Sequence, residues 1–584
     1  MELHFTKGSR AKGIAVLIII LMGLFVVRLF YVQVLQHDVY VAQADSEHIK
    51  QSTLYAKRGV IYAMNGDTPT ERPVVMNETV YTVYADPSMV NDKEAVTAAL
   101  NKIAGGNTRK DFKKYLSVED SKYQVLATKI SRTQAELLKK EDLAGIGFVA
   151  VTQRVYPEGQ LASQVLGFVN AEGKGVYGFE QANDTDLKGR DGMRKTVTDV
   201  RSVPLTVTDK NILKPPVDGK NIVLSIDRNV QAQTEQALAE GVARSGADHA
   251  SAVVMDPQTG KVLAMANVPT YDPSKLNDVT DVAAFNNDTI SNPYEPGSDI
   301  KTFTVAAGVD KGVIRPDSTY VNTDKIVVDD ITIGNASQGH TGTITMQTAL
   351  NWSLNTGMVT IAERLGDGNS ITRASRDAMY DYFYNRFRLG QLTGIELANE
   401  QQGTVIAPTE VQGNAVRYSN MAFGQGMDAT MIQVASAFCS LVNGGTYYSP
   451  TVRAGTITDT GEFVQAAARE KYAGVISAST SRTLREMVHE SHYATYNPHD
   501  GSDRYFVGGK TGTSQTVENG KYVSDQTIGT YLGFGGQSVD NPRYVVMVEI
   551  SAKDHSMGGG ADAKPIFNSI SNWMINYLAL TPQG

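Results

Sequence analysis

The sequence predicts an α+β protein carried on one membrane-spanning helix, and three observations lead there. A wholly apolar run, Ile14 to Val27, interrupts an otherwise ordinary composition. Strand patterning occurs at both ends of the C-terminal part, with helical patterning between. The stretch from about residue 37 to 215 mixes both patterns and holds no catalytic motif. At 584 residues the chain can build two or more domains with cores of ordinary size. With 20% charged residues, 41% apolar residues and a net charge of -8, it is not patterned as a nucleic-acid binder.

The apolar run sits in "GIAVLIIILMGLFVVRLFYVQVL", Gly13 to Leu35, where Arg28 carries the one charge. A helix of that length reaches about 35 Å, enough to cross a hydrocarbon core of ~30 Å. Arg28 lies toward one end, where its side chain can reach the head groups. Lys7, Arg10 and Lys12 precede the span, so the N-terminus is expected in the cytoplasm and the rest outside. The competing reading is a cleaved signal peptide, because Ala42-Gln43-Ala44 has the form of a cleavage site. That site lies too far past the run, beyond Arg28, Gln36, His37 and Asp38, so a retained anchor is expected. The single cysteine, Cys439, cannot form an internal disulfide and reads as a small buried side chain.

In the mixed region, "TVYTVYADP" (Thr79 to Pro87) reads as extended, and "SRTQAELLKKEDLAG" reads as a helix with Ser131 at its N-cap. The glycines of "LKGRDGM" and the prolines of "DKNILKPPVDGKN" mark a boundary. Beyond it, Asn221 to Ile226 is strand-like and Arg228 to Val242 helical. "ASAVVMDPQTGKVLAMAN" reads as a hairpin turning at Pro257-Gln258-Thr259-Gly260. "TIGTYLGFGG" and "RYVVMVEISA" are two late strands, and "AKPIFNSISNWMINYLAL" is a closing amphipathic helix. Strands at both ends of such a segment are expected to share one sheet.

The chemistry centres on "NPYEPGSDIKTFTVAAG". Pro296-Gly297 breaks the extended chain, and a helix is expected from about Ser298. Residues three apart on a helix lie about 5–6 Å from each other, so the Lys301 amine can reach the Ser298 hydroxyl. Burial would lower the lysine pKa and let it accept the serine proton. Alone the pair means little, since Ser9-Arg10-Ala11-Lys12 is a second copy in the leader. Downstream, however, stand Ser353-Leu354-Asn355 and Lys510-Thr511-Gly512-Thr513, 55 residues after Ser298 and 157 after Ser353. Ser-x-x-Lys, Ser-x-Asn and Lys-Thr-Gly, in that order, make up the motif set of penicillin-recognising serine acyltransferases.

With these motifs the chain resembles the class B penicillin-binding proteins, membrane-anchored peptidoglycan DD-transpeptidases, and most of all their division-specific, FtsI-type branch. The segments "KRGVIYAMNG", "RVYPEGQLASQVLGFVN", "GVYGFEQANDTDLKGRDG", "DPQTGKVLAMANVPTYDPSKL", "FGQGMDATMIQVASAF", "LVNGG" and "KTGTSQ" resemble family segments in family order. The resemblance implies a cytoplasmic tail at 1–12, an anchor at 13–36, an elongated mixed α/β pedestal of the dimerisation type at 37–215 and a transpeptidase domain at 216–584. The last is expected to have the penicillin-binding, serine β-lactamase-like fold, an antiparallel sheet with helices on both faces. Ser298 would be the nucleophile and Lys301 its base. Ser353 would relay a proton with Lys510 nearby, and Asn355 would hold the donor peptide. Lys510, Thr511, Gly512 and Thr513 would secure the substrate carboxylate, with the N–H groups of Ser298 and Thr513 as oxyanion hole.

The resemblance implies no cofactor and no metal. Its partners are peptidoglycan stem peptides, β-lactams as covalent inhibitors, the lipid bilayer, a SEDS-family glycosyltransferase and division proteins, with no nucleic acid. Three other readings share the motifs: an elongation-type enzyme, a β-lactamase or carboxypeptidase on the same serine, and a non-catalytic β-lactam sensor. Two departures stand out. Asp299 places a carboxylate inside the first motif, where it could perturb Lys301, and "IYAMNG" lacks the Asp-Arg expected before Asn65-Gly66.

Several near misses have simpler readings. Gly508-Gly509-Lys510-Thr511 lacks the phosphate-loop glycine, Arg504 standing in its place. His340-Thr341-Gly342 reads as a turn. His489-Glu490-x-His492 is one residue short of the zinc-protease spacing and reads as a solvated helix end. "GIELANE", with Glu396 and Asn399, reads as a structural turn rather than a deacylating loop.

Overall fold

The apolar run forms one helix, α1 (Arg10–Phe30), continued by a wider π turn at Tyr31–Leu35. Apolar side chains from Ile14 to Leu35 are exposed along it, as a lipid-facing helix requires. The 24 residues Lys12–Leu35 are long and apolar enough to cross a membrane. The computed structural model describes residues 10–40, 49–118, 120–197, 212–494, 504–518 and 521–582. Lys7, the Ser9 copy of the first motif and Ala42-Gln43-Ala44 lie outside the described residues.

The chain forms two compact units. One, Met1–Arg58 with Lys188–Gly219, holds α1 and a three-stranded antiparallel sheet of Ile49–Leu54, Gly192–Val197 and Ile212–Lys214. The other, Gly59–Leu187 with Lys220–Gly584, holds the three motifs.

In that second unit, Asp227 begins α2 (Arg228–Ser245) by accepting the N–H groups of Asn229 and Val230. Its other oxygen accepts Gly66 N–H at 2.7 Å and the Tyr577 hydroxyl at 2.8 Å, which ties the "IYAMNG" segment to this helix start. The strand Ile61–Asn65 runs parallel to Asn221–Asp227 in a five-stranded sheet, so a segment from the motif-free region pairs with one beyond the expected boundary. A separate antiparallel sheet places Met76–Ala85 between Gln124–Ile130 and Ile146–Val155. Next to it the helix Arg132–Lys140 opens on a capping box between Ser131 and Gln134, as the sequence predicts for Ser131.

The sheet behind the motifs has strands β1 (His249–Met255), β2 (Val262–Val268), β3 (Phe506–Glu518), β4 (Lys521–Gly536) and β5 (Pro542–Ser551). They pair antiparallel in the order β2-β1-β5-β4-β3, so the early hairpin and the late strands share one sheet. Period-two alternation gives the sheet two apolar faces. Ala250, Ala252, Val254, Val546, Val548 and Ile550 pack with Val230 and Leu238 of α2. Val253, Met255, Val545 and Met547 pack in the larger core with a second group of helices. Those helices are α3 (Lys301–Asp310), α4 (Met346–Asn351), α5 (Asn355–Arg364), α6 (Met431–Val442) and α7 (Ala478–Ala494). The closing helix α8 (Lys564–Tyr577) adds Ile566, Phe567, Ile570 and Met574 to the first face. The sheet is therefore covered on both sides, as expected.

Candidate active site

Ser298 lies in a 3₁₀ turn, Gly297–Ile300, that leads into α3. The tighter turn sets residues three apart over one another, so Ser298 and Lys301 share a face. Gly297 has φ +63°, and its N–H donates to Gly424 O at 3.0 Å. A side chain at Gly424 would stand 1.9 Å from Gly297 O, so this close approach requires glycine. Glu295 fixes the same loop by accepting Gly426 N–H at 2.7 Å. Gly424 belongs to "FGQGMD", which the sequence offers as a family-like segment without a role; its support of the nucleophile turn is a tertiary contact with no local signal.

Lys301 is 1% exposed. The spacing predicts that its amine meets the Ser298 hydroxyl, but Nζ donates instead to Ser353 O at 2.5 Å and Ser353 Oγ at 3.1 Å. A carbonyl is a strong acceptor for a buried ammonium, and Ser353 presents its carbonyl and hydroxyl together. It does so because it sits in the left-handed region, φ +56°, at the elbow between α4 and α5. A non-glycine residue held there is a strained feature of the kind that clusters at functional sites. Asn355, the first residue of α5, donates Nδ2 to Gly334 O at 2.9 Å.

The third motif lies on β3. Lys510 is 3% exposed and donates to Thr511 O at 3.0 Å and Thr511 Oγ1 at 3.2 Å. Thr513 is exposed, and its hydroxyl accepts Gly559 N–H at 3.4 Å. A Cβ on Gly297 would stand 3.0 Å from Thr513 O, so β3 abuts the nucleophile turn at this point. Ser353, Lys510 and Thr511 line one cavity of about 290 Å³, together with Trp352, His492 and Lys564. The structure thus joins Lys301 to Ser353, the Gly297 turn that carries Ser298 to Thr513 on β3, and Ser353 to Lys510 and Thr511 through one cavity, while the Asn355 amide is turned to Gly334 O.

Burial governs the electrostatics. Lys301 is pushed well below the ordinary lysine range by burial and then by the Lys510 charge. Burial lowers Lys510 as well, and the charge of Asp299 opposes that shift. Burial raises the Asp299 carboxyl, against the Thr530 hydroxyl and Lys510. Asp299 and Lys510 thus oppose each other's burial shift.

The solvated helix end expected at His489 and His492 is corrected. His492 is 1% exposed, its Nδ1 is 2.5 Å from the Tyr531 hydroxyl, and its carbonyl accepts the Lys564 ammonium at 3.1 Å. His489 stacks on Phe506 with 4.2 Å between ring centroids. The polar spacing of α7 hides the fact that β3 covers this end. Glu396 is structural, as expected: its oxygens accept Thr451 Oγ1 and Val452 N–H, and Arg469 pairs with it at 3.0 Å.

Comparison with known proteins gives a consistent result. The family described as the penicillin binding protein transpeptidase domain matches residues 250–572, and the penicillin-binding protein dimerisation domain matches 53–224. Stage V sporulation protein D of Bacillus subtilis is 30% identical over 97% of this chain and 86% of its own length. The peptidoglycan D,D-transpeptidase FtsI of Escherichia coli is 26% identical over 97% of this chain and 91% of its own. The fold is similar to that of a peptidoglycan synthetase from Bifidobacterium adolescentis, with a TM-score of 0.70 at 23% identity, covering 92% of this chain and 98% of that one.

Proposed function

Because the chain belongs to the penicillin-binding protein transpeptidase family, we propose that it is a membrane-anchored peptidoglycan D,D-transpeptidase that works through a serine acyl-enzyme. The observation that carries this reading is the Lys301 amine on Ser353 O and Oγ, beside a cavity shared by Ser353 and Lys510.

Ser298 Oγ attacks the penultimate D-alanine carbonyl of a stem peptide and forms a C–O bond while its proton passes to Lys301. The N–H groups of Ser298 and Thr513 receive the oxyanion, each donor contributing about 3–4 kcal/mol. The C–N bond then breaks, Ser353 passes its proton to the leaving amine and is reprotonated by Lys301 Nζ, 3.1 Å from its Oγ, and D-alanine departs. Lys510, Thr511 and Thr513 hold the terminal carboxylate during this step, with Gly512 between them on β3, and Asn355 orients the donor amide. An amine of a neighbouring strand next attacks the ester, forms the cross-link and returns the proton to Ser298. A β-lactam enters at the first step and stops at the ester.

The anchor at 13–36 would place the tail 1–12 in the cytoplasm, and the pedestal (37–215) and transpeptidase domain (216–584) outside. Septal wall synthesis in division is the role we assign, with a SEDS-family glycosyltransferase and division proteins as partners; similarity to FtsI supports it. A tagged copy should gather at the septum, and uniform side-wall signal would favour elongation. The chemical test is labelling of the full-length protein in detergent by a fluorescent penicillin. Covalent label is expected in the wild type and none in Ser298→Ala. Label retained in that variant, or absent from folded wild type, overturns the reading; rapid release of hydrolysed penicillin would indicate a lactamase.

A further inference from the structure

Between α3 and α4 the chain folds into an arm of two short antiparallel ladders, Thr319–Asn322 with Gly342–Thr345 and Lys325–Val328 with Ile331–Gly334. The arm buries a polar network. Asn322, Asp324 and Asn335 are 1%, 9% and 5% exposed. One oxygen of Asp324 accepts Asn322 Nδ2 at 3.1 Å and Asn335 Nδ2 at 3.2 Å, and the other accepts Gly339 N–H at 2.7 Å. Asn335 Nδ2 also donates to Asn322 Oδ1 at 3.1 Å. These bonds fix each amide, because its oxygen must face donors and its nitrogen acceptors.

The network reaches the Ser353 elbow from both sides. Beyond Ser353, α5 begins after Leu354, which offers no side-chain cap, so the first turn needs an acceptor from elsewhere. Asn335 Oδ1 supplies it, accepting Thr356 N–H at 3.0 Å, and Asn322 Oδ1 accepts the Thr356 hydroxyl at 2.8 Å. Beside them Gly334 O accepts Asn355 Nδ2 at 2.9 Å; a carbonyl can only accept, so the Asn355 amide cannot turn over. On the near side of Ser353, Asn322 Nδ2 donates to His340 O at 2.8 Å, and the His340 ring lies against Trp352 with 4.2 Å between centroids. A serine in the left-handed region persists where its surroundings over-determine it. Ser353 has φ +56°, and in that setting its carbonyl and hydroxyl both meet Lys301 Nζ.

We propose that Asn322, Asp324 and Asn335 are positioning residues that act through the Ser353 elbow: they hold the left-handed turn that presents Ser353 to Lys301, and the one orientation of the Asn355 amide. The inference rests on the transpeptidase reading above and deepens it by giving the arm a task in acylation.

The test uses full-length protein in detergent and a fluorescent penicillin over a range of concentrations. Such a series separates the dissociation constant of the first complex from the first-order acylation constant, and the final labelled fraction counts competent molecules. Asn335→Asp keeps an oxygen for Thr356 N–H but faces Asp324 with a second carboxylate. Thr356→Val keeps the shape and removes the hydroxyl, whereas Thr356→Ser retains it.

The acylation constant should fall about ten- to a hundredfold in Asn335→Asp, the loss expected when reacting groups are displaced by about 1 Å. Adding Asp324→Asn again sets a donor against an acceptor, so part of the loss should return; no return would overturn the part given to Asp324. In Thr356→Val the constant should fall in the same sense, and in Thr356→Ser it should lie close to wild type. Should Asn335→Asp not fold, the Thr356 pair decides alone. Variants with the wild-type acylation constant but fewer labelled molecules would overturn the proposal, since a purely structural arm changes how much protein is folded and not its rate. An equal loss in Thr356→Ser and Thr356→Val would overturn it too, because the hydroxyl would not be the link. Wild-type protein that takes no label would strike instead at the transpeptidase reading.

Discussion

Two buried helices of similar length in the same core, α3 and α6, solve the burial of polar groups in opposite ways. In α6 all twelve residues are buried and the polar ones are neutral and partnered. Gln433 accepts Gly390 N–H at 3.0 Å and donates to Gln401 O at 3.3 Å, and Ser440 donates to Ala437 O at 2.6 Å. At α3 and the turn before it, Thr302 and Thr304 are likewise satisfied, by Asp299 O and Ala422 O. Asp299 and Lys301, however, bring ionisable groups into the same dry interior. Burying charge works against stability, whereas a satisfied neutral group is nearly free of cost. The difference separates a helix kept for packing from one kept for chemistry.

The sharpest way to break the comparison is Lys301→Met, which keeps the stem and removes the amine. Acylation by a fluorescent penicillin should fall by about 10²–10⁴-fold, the usual contribution of a general base. The melting temperature should stay level or rise, because no ammonium remains to be desolvated. A variant that melts well below wild type would mean that Lys301 serves the fold as much as the chemistry. The mirror experiment is Leu441→Ala in α6, where the leucine is 0% exposed. It should cost about 2–5 kcal/mol of stability in denaturant unfolding, while the rate per correctly folded molecule stays unchanged. A rate that falls along with stability would show α6 to be part of the catalytic machinery.

How much of this was legible in the sequence depends on whether the cause is local. The motif residues were, because Ser298 and Lys301 share a turn, Ser353 and Asn355 share an elbow, and Lys510 to Thr513 share a strand. The start of α2 and the hairpin at Gly260 were legible too, since Asp227 caps the one and Asp256 holds the other through Gly260 N–H at 3.0 Å. What the sequence concealed lies in pairings across long separations. The parallel partner of Asn221–Asp227 is Ile61–Asn65, far upstream. Gly424 matters because of Gly297, and His492 is buried because Tyr531 and Lys564 close over it. The direction of Asp299 was equally hidden, because the space it fills is made by Gly512 of β3.

The finest distinction between the two strategies is carried by Glu549 on β5, an ionisable group buried near the same cluster but outside the proposed chemistry. It is 8% exposed, and burial, reinforced by Asp288 and opposed by Ser551, raises its carboxyl from the ordinary 4.5 to about 7. Below about pH 4.5 the group is protonated in folded and unfolded chains alike and contributes nothing. Between these two values the unfolded chain sheds a proton that the folded chain keeps, so stability falls as the pH rises; above about 7 the loss is complete and constant. Glu549→Gln imposes the neutral solution that Gln433 already shows in α6. Its melting temperature should exceed wild type by a few degrees at pH 8 and converge with it toward pH 4. Because every other titrating group is common to both proteins, the difference isolates this one. A gap that stays the same at both pH values would trace the effect to packing of the amide rather than to the buried charge.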